Sequence, residues 1–117
     1  MSSRSFRNHN PGNLRYSPFT SMRGAEDDGE HYAKWSLTIQ GLAALLDLLA
    51  ARPYRDMNIR DAINRFAPVG DNNDPDKYID FICRRSGIDQ LAGIEDLDPF
   101  EILRLLEAIV VFEGWKP

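Results

Sequence analysis

After Ser36 most of the chain consists of four stretches in which apolar residues recur three and four positions apart, and this restricts it to a mainly helical fold. The first, "SLTIQGLAALLDLLAA", carries Ile39, Leu42, Ala43, Leu45, Leu46 and Leu49, with Ser36 as the expected N-cap and Pro53 as the stop. The second opens on Asn58 as cap and places Ile59, Ala62, Ile63 and Phe66 on one face before Pro68 breaks it. In the third, Asp74 is the cap, Pro75 lies in the first turn, and Tyr78, Ile79, Ile82 and Cys83 lead to Gly87. The last has the fullest start signal, with Asp98, Pro99 and Glu101 giving cap, first-turn proline and returning carboxylate. Its face is Ile102, Leu105, Leu106, Ile109 and Val110. "GIDQLAGIEDL" is a connector with room for one helical turn.

The segment before Ser36 reads differently. "EHYAKWS" alternates as a short strand with Tyr32 and Trp35 as anchors, and Gly24 and Gly29 mark turns. The expected fold class is mostly α with a small β-hairpin (α+β), in a single domain over residues 1–117.

A formal net charge of -4 argues against a general nucleic-acid binder. Charge is uneven, however: Arg4, Arg7, Arg15 and Arg23 make the opening basic, and Glu26, Asp27, Asp28 and Glu30 follow as an acidic cluster. Cys83 is the one cysteine, which excludes an internal disulfide, and its helical spacing makes it a buried structural thiol. No apolar run approaches the ~20 residues of a membrane span, and "MSSRSFRNHN" lacks the apolar core of a secretory signal. The expectation is synthesis in the cytoplasm and, for any action outside it, delivery by another machine.

Glu113 is the unusual residue of the last stretch, because it continues the apolar stripe four positions after Ile109 and three after Val110. Partial burial and the negative end of the helix dipole both favour a protonated carboxyl, the state a general acid needs. A glutamate reaching water from a frayed end is the competing reading. Gly114 suits the helix C-cap. At the other end, "RNHNPGNLRYS" supplies Asn8, Asn10 and Asn13, whose amides donate and accept as sugar hydroxyls and N-acetyl groups require. Pro11-Gly12 makes a tight turn that aims them. Tyr16, Tyr32, Trp35 and Trp115 offer aromatic faces for sugar rings, with core packing as the alternative. Glycosidases commonly use a second carboxylate, and Asp28 or Glu30 at the hairpin tip are the candidates. His9 and His31 lack metal-ligand spacing, so neither metal nor other cofactor is expected.

In the same order along nearly the whole chain, "RNHNPGNLRYS", "HYAKWSLTIQGLAALLDLL", "INRFAPVGDNNDPDKYIDFI" and "EAIVVFEGW" resemble small phage-virion and toxin-associated lysozyme-like proteins. The pieces "FEGW" and "NPGNLRYS" are also similar to parts of flagellar-type peptidoglycan glucosaminidases, but with the catalytic helix last instead of first. The chain therefore resembles a circularly permuted glucosaminidase or transglycosylase. The resemblance implies Glu113 as catalytic acid, with Asn10, Gly12 and Asn13 as the turn beside it. It also implies Tyr78 in the cleft, with Asn72 or Asn73 in the preceding loop. The chain departs from the first group at His9, Phe112 and Gly114.

The expected function is cleavage of peptidoglycan glycan strands in a phage or secreted-toxin context, whether of muramidase, lytic transglycosylase or glucosaminidase type. Glu113 is its acid, with Asp28 or Glu30 as a second carboxylate, or the substrate's own groups in that role. Asn10, Gly12, Asn13, Arg15, Tyr32, Asn73, Tyr78 and Trp115 are the expected substrate-binding residues. The alternative is a non-catalytic virion structural or cell-wall-binding module. A more remote one is an immunity or inhibitor partner presenting the Glu26 to Glu30 cluster. Virion or secretion-system proteins complete the expected partners.

Overall fold

Short polar side chains set the start of nearly every helix in the computed structural model, which describes residues 2–68 and 73–117. Ser3 caps α1 (Arg4–Arg7), accepting from the Phe6 N–H, and a Ser17–Thr20 capping box opens α2 (Pro18–Ser21). Strands β1 (Glu26–Asp27) and β2 (Ala33–Lys34) pair antiparallel, Glu26 opposite Lys34 and Asp27 opposite Ala33. α3 spans Thr38–Ala50, α4 Ile59–Phe66, α5 Pro75–Ser86 and α6 Pro99–Phe112. Single 3-10 turns lie at Tyr54–Asp56 and Ile94–Asp96, the second within the predicted connector. The fold is mostly helical with one small antiparallel hairpin, an α+β arrangement. Among the described residues no helix is long and apolar enough to cross a membrane.

Two compact units make up the chain: one runs from the N-terminal segment to Asp47 and includes Glu113–Pro117, the other is Leu48–Phe112. In the second, α5 packs on α6 and α4, burying Ile59, Ile63, Tyr78, Ile82, Leu105, Leu106 and Ile109. The predicted caps are in place: Asn58 accepts from Asp61, Asp74 from Lys77, and Asp98 and Glu101 exchange bonds of 2.8 and 3.0 Å. Two further orphan donors of α4 are met by the connector, Ile59 N–H donating to Ala92 O and Arg60 N–H to Gln90 O. Gly87 ends α5 with φ +74, the left-handed cap its position predicts.

In the first unit the hydrogen-bonded backbone runs through the asparagine-rich opening. Asn13 N–H donates to Asn10 O at 2.9 Å, closing a four-residue turn around Pro11 and Gly12. The same segment lies along β2: Trp35 N–H donates to Asn8 O, Ala33 N–H to Leu14 O, and Tyr16 N–H to His31 O. α3 seats the turn from the other side. A Cβ on Gly41 would lie 2.1 Å from His9 O, and one on Gly12 2.9 Å from Leu45 Cδ1. Both glycines are therefore close-approach positions.

The α3 stripe differs from expectation. Leu45 and Leu49 are buried with Gly41 and Ala44, but Ile39 is 66% exposed and Leu46 42%. The buried face is centred on the small residues Gly41 and Ala44, which periodicity of large side chains does not register. The helix also starts later than Ser36, at Thr38, where Gln40 Oε1 accepts from the Leu37 N–H at 3.0 Å.

Candidate functional site

The most sheltered of the predicted binding residues is Asn10, which has no exposed surface. Its Nδ2 donates to Leu14 O and Ala33 O, and its Oδ1 accepts from Leu14 N–H, all at 2.9 Å. The amide thus mimics a strand, fastening the turn to β2, and its hydrogen-bonding capacity is spent on backbone. Gly12 is buried against Leu45. Asn13 is half-buried and left-handed at φ +50, and His9 shares that conformation at φ +51. Asn13 Oδ1 and His9 Nδ1 are both buried without a hydrogen-bond partner among the described residues. Strained backbone and unmatched polar atoms thus concentrate in one turn, a pairing more typical of functional segments than of scaffolding.

α6 ends at Phe112, and Glu113 follows in a turn closed by Gly114 at φ +79. Glu113 is half-buried. The five residues from Glu113 belong to the same compact unit as the opening of the chain. Ser3 ties them: its N–H donates to Lys116 O at 3.1 Å, and its Oγ accepts from Lys116 N–H at 3.0 Å. Trp115, half-buried, meets Phe6 edge to face with centroids 5.2 Å apart. Residues separated by almost the whole sequence therefore share one neighbourhood.

The hairpin tip holds the two predicted partner carboxylates in different ways. Asp28 Oδ2 accepts from Asn8 Nδ2 at 2.8 Å, and its Oδ1 accepts from the backbone N–H of Glu30 and Tyr32 at 2.7 and 3.1 Å. Partial burial works against its charge, but the Asn8 amide, the two backbone donors and Arg4 outweigh it and hold its pKa below the usual 3.8. Asp28 is a fixed anion organising the tip. Glu30 is exposed and meets Arg4 at 3.3 Å. Tyr32 is half-buried, with the Arg4 guanidinium 4.1 Å from its ring centroid and that of Arg15 at 5.4 Å. Arg15, exposed, also bridges Tyr32 through the backbone.

Asn73 and Tyr78 belong to the second unit. Asn73 Nδ2 donates to Pro68 O at 3.2 Å, while Asn72 lies outside the described residues. Tyr78 is 1% exposed and forms part of the core, stacked on Phe112 at 3.9 Å and edge-on to Phe66 at 6.2 Å. Cys83 is half-buried, and burial first, then Asp89 and Asp80, pushes its thiol pKa up, away from nucleophilic character. Among the described residues no three His, Cys, Asp or Glu side chains cluster as metal ligands would.

Sequence reasoning passed over Asn8, Arg4 and Gly41 as organisers. Their partners Asp28, Glu30 and the His9 carbonyl lie 20 or more residues away, and no local pattern encodes that pairing. Compared with known proteins, the chain matches no family model, and no curated protein is significantly similar to it.

Proposed function

We propose that the chain is a lysozyme-like domain that cleaves the glycan strand of peptidoglycan, with Glu113 protonating the glycosidic oxygen. The observation supporting this reading is the joining of the two chain ends. The Glu113 segment folds in one unit with the turn whose His9 and Asn13 are strained and carry unmatched polar atoms. In this reading Asn10 and Gly12 shape the turn, and Asn13, Arg15, Tyr32 and Trp115 meet sugar. Glu30, with its exposed carboxylate, is a better candidate than Asp28 for the second carboxylate, since Asp28 already accepts three hydrogen bonds. Without Glu30, the acetamido or hydroxyl group of the substrate completes the displacement.

The test is incubation of purified sacculi with the wild-type protein and with Glu113→Gln, reading soluble fragments by mass spectrometry. The wild type should release muropeptides, and Glu113→Gln should release at least ~100-fold less, the scale of a lost general acid, with an unchanged circular dichroism spectrum. Equal release by the two proteins removes Glu113 from the mechanism. Binding to sacculi without release by the wild type would make the chain a cell-wall-binding module instead.

A further inference from the structure

Single exposed apolar side chains are ordinary, and those of α6 fit that pattern: Phe100 and Leu103 stand among Glu101, Arg104 and Glu107. α3 differs, because Asp47 is its one charged residue. Its inner face of Gly41, Ala44 and Leu45 is buried. A second apolar stripe, Ile39, Leu42, Ala43 and Leu46, recurs at spacings of three and four on the side away from it. Leu42 is half-buried and the other three are exposed, as is Leu37 just before the helix. All of these residues lie in the first unit. A helix apolar on both faces is normally covered on both. Asp47 stands at the edge of the stripe, where Arg23 Nε meets it at 3.1 Å. Arg23 is itself fixed on Phe19, donating to its carbonyl at 2.9 Å with the guanidinium 3.6 Å from the ring centroid. At the other end, the first turn of α3 holds no acidic residue to complement the positive pole of the helix dipole.

We propose that this stripe joins two copies of the chain, α3 packing antiparallel on α3 of the second copy about a two-fold axis between Leu42 and Ala43. The stripe is its own complement under that operation. Ile39 of each copy meets Leu46 of the other, and Leu42 meets Ala43, a large side chain against a small one where the helices cross. Charge selects the same arrangement. Asp47 of each copy comes beside Thr38 of the other, at the start of that α3, where a carboxylate is favourable. A parallel pair would set the two Asp47 carboxylates side by side and leave both helix starts without an acidic neighbour. A helix about 20 Å long offers less than the ~800 Å² per partner of a standard interface, so the dimer is weak and concentration-dependent.

Sedimentation equilibrium over a concentration series tests this. The wild type should move from 13.3 kDa toward twice that mass, with half conversion on the order of 100 μM, as a contact below standard size implies. Ile39→Lys and Leu46→Glu, both at exposed positions, should each leave the chain monomeric over the whole series. Combined on one chain they should restore the dimer, because each introduced charge then faces its opposite across the two-fold axis. Circular dichroism should show equal helix content in all four proteins. A wild type that stays monomeric overturns the proposal and leaves the stripe to a different protein or uncovered. A dimer that persists in both single variants forms through another face and overturns it equally. Failure of the combined variant to dimerise rules out the antiparallel register, and the proposal with it.

Discussion

Compare what is fully buried in the two units. Among Leu48–Phe112 the largest such side chains are Tyr78, Ile59, Ile82, Leu105 and Ile109, all but the first aliphatic. In the unit made from the two chain ends, Leu45 is joined by Asn10, Thr20 and Ser5. One unit is held by apolar surface removed from water, which is non-directional and tolerant of small shifts. The other buries Leu14, Ala33 and Trp35 as well, but adds short polar side chains whose hydrogen bonds hold only at correct distances and are costly when broken. The candidate acid, half-buried, belongs to the second kind of unit.

Paired substitutions sharpen this contrast, and the largest effect is expected in the helical unit. Ile109→Ala should cost about 4 kcal/mol and Ile109→Val only about 1 kcal/mol, because the loss follows the volume removed. Asn10→Ala should cost about 2–3 kcal/mol, since it strands the Leu14 N–H and the Ala33 carbonyl, while the Leu14 carbonyl keeps the Ala33 N–H. Here restoring volume should not help: Asn10→Leu should be no more stable than Asn10→Ala. Denaturant unfolding of the four variants checks both patterns, and a stable Asn10→Leu would break the distinction between the units.

A smaller effect is expected with acid. Asp28 has a folded pKa below 3.8, so its ionised form stabilises the hairpin tip above that pH. The contribution disappears as pH falls below 3.8 through the lower folded value. Exchange of the Glu30 and Tyr32 amides should accelerate over that window relative to amides of α5. A parallel loss in both regions would mean that Asp28 does not set the acid response of the tip.

The sequence disclosed the helical unit well because its signals are local. Asn58, Asp74 and the Asp98–Glu101 pair each act within three residues of themselves, and Gly87 closes its own helix. Reading failed where the partner was distant or the face was lined with small side chains. Ser36 gave way to a Leu37–Gln40 contact, and Ile39 and Leu46 point to solvent because Gly41 and Ala44 form the contact face. The asparagine turn was legible as a turn, through Pro11 and Gly12. That Asn10 is sealed beneath it depends on Ala33, 23 residues away, which no local pattern indicates. Tyr78 was legible as a helix-face aromatic, and its stacking on Phe112 joins α5 to the end of α6.

The central claim is that both chain ends build one polar unit, and deletion of residues 113–117 tests it most directly when followed by hydrogen exchange. The deletion removes the Ser3–Lys116 bonds and the Phe6–Trp115 contact. The account predicts accelerated exchange at Asn8, Asn13 and Leu14 with protection retained at the core amides of α5 and α6. Unchanged protection at those three residues would contradict it.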